Sequence, residues 1–298
     1  MPRVAVVTAV HNGARFVAET VRSVLAQTYR DFEYLVVDDG STDESASVLE
    51  PFGSRIRVFK QPNRGQVQAR NRAIEASDAE VVAFLDHDDV WEPTKLAEQM
   101  RLLDTQPSLG LVSTAHLRVD EQGRRLLRQP RILRDQDLLP YLLTVRNPVA
   151  FSSVVVRRSV LGSDLLLDPR FSYTADLHLF FRVLRTGAAF CNVPIRLLRY
   201  RVHRQNLTAV ARDGRSYYRE TKLFLDEAFG DERVAQVYGH LRPLAEAYAC
   251  YFRGRIELAQ GASRRSARRH LFEALRNSRA PDIVARVAKY LAISILPP

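Results

Sequence analysis

Three carboxylates crowd one short stretch of the chain, residues 81–91, which reads Val-Val-Ala-Phe-Leu-Asp86-His87-Asp88-Asp89-Val-Trp91. The apolar run before Asp86 predicts a buried strand, so Asp86, Asp88 and Asp89 are delivered together at a strand end. Carboxylates this close repel one another when ionised and persist at neutral pH only with a cation held among them. Hard oxygen donors suit Mg²⁺ or Mn²⁺ better than zinc, and those ions usually come with a phosphate attached. The chemistry predicted is a metal-diphosphate site. Asp-rich strand ends also serve as helix caps and turns, so the D-x-D spacing by itself is a weak signal and its company carries the weight.

That company is a series of elements of one kind. Residues 4–10, Val-Ala-Val-Val-Thr-Ala-Val, read as a continuous apolar strand, followed by His11-Asn12-Gly13 and a helix with Val17, Val21, Val24 and Leu25 on one face. A second strand over 34–37 runs into Asp38-Asp39-Gly40-Ser41-Thr42-Asp43, where Ser41 and Glu44 stand at capping-box spacing for the next helix. Apolar strands alternating with helices predict a parallel sheet covered on both faces, with ligands at the carboxyl ends of the strands. His11-Asn12, Asp38-Asp39 and the Asp86–Asp89 cluster all fall at such ends.

Taken in order, these pieces resemble family 2 glycosyltransferases of the GT-A fold, an inverting family that uses nucleotide-diphosphate sugars. The matching segments are residues 6–12, Gln27-Thr28-Tyr29 with Phe32-Glu33, residues 37–43, Asn63-Arg64-Gly65 with Ala69-Arg70-Asn71, and residues 85–91 with Pro93 and Lys95-Leu96. Their order over roughly the first hundred residues is more specific than any one of them. The resemblance implies an α/β fold with a Rossmann-like, mostly parallel central sheet flanked by helices, and a C-terminal helical appendage. It implies a catalytic domain over 1–212, with a nucleotide-sugar half (1–105) and an acceptor half (106–212), and a basic helical region over 213–298.

The resemblance also assigns roles. Asp38 and Asp39 read the base and ribose, a carboxylate being able to accept from a pyrimidine N–H or a sugar hydroxyl, with an Asx turn before Gly40 as the structural alternative. Thr8, Ala9 and Val10 line the base slot, with Asn12 beside them, and Arg70 faces the nucleotide. Asp86 and Asp88 are the D-x-D, with Asp88 the first metal ligand and Asp86 or Asp89 meeting the ribose or a metal-bound water; His87 is a bystander. In the acceptor half, residues 151–157 read as a strand, 158–161 as a short helix, and Asp176 opens a helix carrying Leu177, Phe180, Phe181 and Leu184. The family usually has an acidic pair here; this chain has Ala175 before Asp176, which remains as the base for the acceptor hydroxyl, a helix cap being the other reading. His203 is offered to the metal shell or a phosphate, and Arg201 and Arg204 to the leaving group. The expected donor is a UDP- or dTDP-linked sugar, and the expected acceptor a hydroxyl of a glycan or lipid-linked glycan of the bacterial cell surface.

The 298-residue composition fits this reading. No basic n-region and apolar h-region precede the first strand, no apolar run is long enough for a spanning helix, and Cys191 and Cys250 are too few and too far apart for a disulfide framework. These features predict a cytoplasmic protein. The net charge of +10 raises a nucleic-acid partner, but the excess is concentrated late: residues 253–289 hold ten Arg and Lys against Glu257, Glu273 and Asp282. That region reads as helices over 217–229, 232–260, 263–278 and from 281 on, with neither an aromatic strand platform nor a zinc pattern, so no nucleic acid is expected. A basic amphipathic end suits peripheral contact with the anionic inner face of a membrane, or packing on the catalytic domain with its Arg residues in solvent. Two other classes compete: a haloacid-dehalogenase-like phosphatase, which wants its D-x-D on the opening strand, and a non-enzymatic basic binding module.

Overall fold

A computed structural model describes residues 1–130, 132–133, 138–145, 147–160, 166–204, 206, 214–261 and 263–295. The chain divides into two compact units, Met1–Asp137 with Pro148–His203, and Leu138–Asn147 with Arg204–Pro298. The expected boundary at 212/213 lies outside the described residues.

The first unit is built on one eight-stranded sheet. Its strands are β1 (Val4–Val10), β2 (Phe32–Asp39), β3 (Arg57–Gln61), β4 (Val81–Phe84), β5 (Val90–Trp91), β6 (Leu109–Val119), β7 (Val155–Arg157) and β8 (Ala189–Arg201), in the order β3-β2-β1-β4-β7-β6-β8-β5. Helices α1 (Val17–Leu25), α2 (Ser45–Leu49), α3 (Gln66–Glu75), α4 (Lys95–Thr105) and α6 (Ala175–Arg185) belong to the same unit. The four strands β3-β2-β1-β4 are parallel, as the continuous apolar runs of β1, β2 and β4 predict: every residue of β1 and β4 is buried, whereas β3 lies at the sheet edge with none buried. Beyond β4 the sheet is mixed, because β7 runs antiparallel to both β4 and β6, and β5 antiparallel to β8. Short antiparallel pairings need no helical crossover, so helix–strand alternation does not foretell them.

Register is what positions the site. Val10 pairs with Asp38 and Val7 with Phe84, so β1, β2 and β4 run the same way, β4 stops three residues short of the end of β1, and their carboxyl-end loops open on one edge. The core beneath them is Val6, Tyr34, Val36, Ala83, Leu85 and Trp91 with the inner faces of α1 and α4.

Two local expectations in this unit are corrected. Ser41 does not cap α2, which begins only at Ser45 with Glu44 at its N-cap and no side-chain cap bond; the Ser41 hydroxyl instead accepts from the Asn12 N–H at 3.0 Å. Phe151–Ser153 is a 3₁₀ turn and only Val155–Arg157 is strand, since that turn aims backbone carbonyls at buried donors of Trp91 and Gln99. The short helix after it spans Arg158–Val160, Leu161 lying outside the described residues.

The second unit is helical: α5 (Leu139–Leu143), α7 (Gly214–Gly230), α8 (Glu232–Tyr238), α9 (Arg242–Ala259), α10 (Arg264–Asn277) and α11 (Pro281–Ile295). The single helix expected over 232–260 is broken after Tyr238; Pro243, which lacks an N–H, is tolerated in the first turn of a new helix but not in the interior of a continuous one. Asp231 caps α8 and Ser263 caps α10. Its core is Tyr248, Tyr251, Leu271, Ala274, Ile283 and Val287. At Gly254 a Cβ would stand 2.8 Å from Leu271 Cγ and 2.9 Å from the Ala267 carbonyl, so only glycine permits this approach of α9 and α10. Both cysteines are free thiols, and among the described residues no helix is long and apolar enough to cross a membrane.

Candidate active site

The loops after β1 and β2 are stitched into one wall. Asn12, in a left-handed conformation at φ 52°, turns its side-chain carbonyl onto the Thr42 N–H at 2.8 Å. The Gly13 and Ala14 N–H groups donate to Ser45 and Asp43 at 2.9 and 3.0 Å. The bonds from Ser45 and from the Ala14 N–H hold the Asp43 carboxyl below its usual range in spite of burial. Behind the wall the Thr8 hydroxyl is buried against the Tyr34 phenol and the Leu85 carbonyl, while Ala9 and Val10 are buried.

Asp38 and Asp39 are both buried and bound by their own loops. Asp38 Oδ1 accepts the Ser41 N–H at 2.9 Å, which is the Asx turn. Asp39 accepts three bonds, from Gln61 Nε2 (2.8 Å) and Arg64 N (2.9 Å) on one oxygen and Gly65 N (2.8 Å) on the other. A carboxylate has about four lone-pair directions. Asp39 thus fixes the β3–α3 loop, with one of those directions unfilled among the described residues.

At the end of β4, oxygens of Asp86, Asp88 and Asp89 all lie within 4.8 Å of one another. Each carboxylate is anchored differently. Asp86, the most accessible, meets the Arg70 guanidinium at 2.5 Å, and its N–H donates to the Ser152 hydroxyl. Asp88 is buried and its Oδ2 lies 2.7 Å from His203 Nε2. Burial alone would raise its pKa, but the hydrogen bond from His203 and the charges of His87 and His203 prevail and lower it. Asp89 is 1% exposed; its Oδ1 accepts the Arg201 N–H at 2.8 Å, and its Oδ2 is buried without a hydrogen-bond partner among the described residues. Burial, then repulsion from Asp88 and Asp86, drives its pKa well above the usual carboxylate value. An orphaned buried oxygen beside two more carboxylates fits a hard divalent cation, because such an ion would supply the missing partner and relieve the repulsion.

Arg70 is not a solvated surface charge. Its guanidinium is buried, lies 4.9 Å from the Phe151 ring and donates to Gln66 Oε1 as well as to Asp86. Gln66, which nothing in the sequence pattern singles out, then donates to the Ser172 carbonyl at 2.9 Å. The loop leading to α6 is thereby tied to the helix that carries Arg70. Asp176 is half-buried in the first turn of α6, and the N-cap position belongs to Thr174.

Arg201 has a different place from the one expected. Its side chain is buried 4.8 Å from the Phe16 ring, and it donates to the carbonyls of Asp88 and Glu121, both at 2.9 Å, and to Glu19 at 2.6 Å. Those donors are spent on backbone and on Glu19, so Arg201 clamps the Asp86–Asp89 turn. Thr20 does the same from α1, its hydroxyl lying 2.8 Å from the carbonyls of both His87 and Asp89. His87 is a wall: a Cβ on Gly13 would stand 2.5 Å from its Cδ2, so glycine is required there. Below the turn, Lys95 is fully buried 3.9 Å from the Trp91 ring and donates to Gln99, which in turn holds the carbonyls of Val112 and Ser153. Burial alone drives the Lys95 pKa well down. Arg204 has no ion pair with another described residue.

The model for glycosyl transferase family 2 matches residues 5–162. An uncharacterized glycosyltransferase of Nostoc sp. (strain PCC 7120) is 35% identical over 179 residues, spanning 56% of this chain and 54% of that protein. This chain therefore covers about half the length of that relative. The UDP-Glc:alpha-D-GlcNAc-diphosphoundecaprenol beta-1,3-glucosyltransferase WfaP of Escherichia coli is 28% identical, spanning 70% of this chain and 81% of its own. Among solved structures, S. aureus TarS (residues 1–349) in complex with UDP-GlcNAc superimposes with a TM-score of 0.63 at 15% identity, over 98% of this chain and 90% of that one. The mannosyltransferase PcManGT from Pyrobaculum calidifontis, in complex with GDP-Man and Mn²⁺, does so with a TM-score of 0.62 at 20% identity, over 100% and 81%. At such identities the likeness speaks for the fold, an α/β GT-A-like sheet followed by helices.

Proposed function

Since the chain belongs to glycosyl transferase family 2, we propose that it is an inverting, metal-dependent glycosyltransferase moving a sugar from a nucleotide-diphosphate donor, UDP- or dTDP-linked, to an acceptor hydroxyl. The observation that carries this reading is the cluster of Asp86, Asp88 and Asp89 oxygens within 4.8 Å, beside Arg70 and on the same sheet edge as Asp38 and Asp39. Residues 1–212 form the catalytic part in this reading, and 213–298 the appendage.

Asp88, with Asp86 and His203 beside it, would hold Mn²⁺ or Mg²⁺, and the bound ion would neutralise charge gathering on the leaving diphosphate. The chain's own groups do the rest. The backbone at Thr8–Val10 and the remaining lone pair of Asp39 orient the base, and the paired Arg70–Asp86 set the ribose side. Asp176 accepts the proton of the acceptor hydroxyl as its oxygen bonds the anomeric carbon; the bond to the nucleoside diphosphate breaks on the opposite face, inverting the centre. No enzyme nucleophile is needed.

The acceptor reading is a glycan or lipid-linked glycan of a bacterial envelope, supported by relatives such as WfaP and the Bacillus subtilis "Putative teichuronic acid biosynthesis glycosyltransferase TuaG". Peripheral contact with an anionic membrane from the cytoplasmic side is supported by α10, whose outward face carries Arg265, Arg269, Phe272 and Arg276 at helical spacing, all exposed. The deciding experiment is a thermal-shift and turnover screen of nucleotide sugars with and without Mn²⁺, in the native chain and in Asp88→Ala. Metal-dependent stabilisation by one donor class, lost in Asp88→Ala with the fold intact, is expected. Full turnover of Asp88→Ala, or turnover in excess chelator, refutes the metal assignment.

A further inference from the structure

Beside the loop that Asp39 anchors, a cavity of about 570 Å³ opens between β3, α3 and Pro169, with Gln61 and Pro62 in its lining. Its walls carry Lys60, Arg64, Gln68, Arg72 and a single acid, Glu75. Gln68, Arg72 and Glu75 stand at i, i+4 and i+7 on α3, so they share one helix face. Arg72 is held in place by donating to the Lys60 carbonyl at 2.7 Å. None of Lys60, Arg64 and Arg72 has an ion-pair partner among the described residues, whereas the nearby Arg57 is paired with Glu33. Three cations against the one acid leave the cavity an excess of positive charge, which raises its potential and invites an anion.

The lining selects the kind of anion. Two guanidinium groups and an ammonium match phosphate oxygens, the arginines as planar forks and the lysine as a point charge. The free amide of Gln68 suits sugar hydroxyls, and Pro62 and Pro169 are the apolar residues of the lining, which has no aromatic ring to stack a base. The volume falls in the range of pockets that hold a small organic ligand and exceeds what a bare phosphate fills. We propose that this cavity is a second binding site, separate from the donor site, that takes a phosphorylated sugar, such as a phosphate-bearing unit of the acceptor glycan. That the unit belongs to the acceptor rests on the glycosyltransfer reading; that the cavity binds a phosphosugar does not.

Calorimetric titration of the full chain in chelator with glucose 1-phosphate, inorganic phosphate and glucose, at fixed ionic strength, tests the site. Glucose 1-phosphate is expected to bind about tenfold more tightly than either of the others, because only it engages both cations and amide. Lys60→Glu/Arg64→Glu is expected to weaken it by about tenfold or more through charge reversal. Gln68→Glu, one substitution on the exposed face of α3, gives an independent reading of the same loss should the double variant misfold. Asp88→Ala is expected to bind glucose 1-phosphate as the native chain does. Unweakened binding in the folded charge variants overturns the proposal. So does equal affinity for inorganic phosphate, and so does loss in Asp88→Ala, which would assign the ligand to the donor site.

Discussion

Replacing Arg201 separates two roles that its charge would otherwise confuse. Arg201→Met keeps an apolar stem against Phe16 but removes donors to the Asp88 and Glu121 carbonyls and to Glu19. Hydrogen bonds to a charged group contribute about 1.5–3 kcal/mol each, and the Glu19 pair, half-exposed, less than about 1 kcal/mol. Losing two carbonyl bonds, partly offset by no longer burying a guanidinium, leaves a cost of roughly 3 kcal/mol. For a chain of this size that lowers Tm by about 5 °C. Because the Asp88 carbonyl hangs on this side chain, Mn²⁺ affinity should fall by about 10–100-fold, as when an outer partner of a metal ligand is removed, while the Arg201 N–H still holds the Asp89 carboxylate. Arg201→Lys is the discriminating variant: it keeps the charge, but one ammonium reaches only one of the two carbonyls. If Arg201 clamps the turn, Lys loses most of what Met loses in both differential scanning calorimetry and Mn²⁺ titration. Native-like Tm and metal affinity in Arg201→Lys, with turnover tracking charge alone, would refute the clamp and restore Arg201 to the leaving group.

Asp176→Asn should lower kcat by about 10²-fold or more with donor affinity near native, the mark of a lost proton acceptor; near-native turnover would reduce Asp176 to a structural residue of α6. Asp39→Asn should instead weaken nucleotide binding first, since its amide cannot accept all three bonds from Gln61, Arg64 and Gly65, and an unchanged donor Kd would sink that role. Burial, then the charges of Arg118 and Arg196, push the His116 pKa down to about 4. The unfolded chain therefore binds more protons between about pH 6.5 and 4, so this contribution is complete above pH 6.5 and is lost as pH falls toward 4, by about 2–3 kcal/mol; urea midpoints of His116→Gln should fall less steeply over that window, and parallel curves would contradict it. Arg265→Gln/Arg269→Gln should reduce sedimentation with anionic vesicles, and added salt should do the same to the native chain; vesicle binding indifferent to both would leave α10 as a solvated helix.

Sequence alone determined the parts whose signal is local. Continuous Val and Ala runs over 4–10 and 81–84 specify strands buried on both faces, and Asp38-Asp39 and Asp86-His87-Asp88-Asp89 lie just where such strands stop. The family's ordered segments carried the remainder of the donor half. Tertiary structure alone decided how each acid is used. Asp39 became a loop anchor because β3 and α3 bring three donors to it, Asp89 was buried with an unpartnered oxygen, and Arg201, more than a hundred residues downstream, proved to be committed to the Asp86–Asp89 turn. Gln66 gained its part only when Ser172 came within 2.9 Å of it. Periodicity reports which face of an element is apolar, whereas pairing between distant polar groups depends on strand register and loop closure, to which chain-local pattern is blind. The same holds for the cavity beside α3: i, i+4, i+7 spacing aligned Gln68, Arg72 and Glu75, but only the fold set Lys60 and Arg64 beside them.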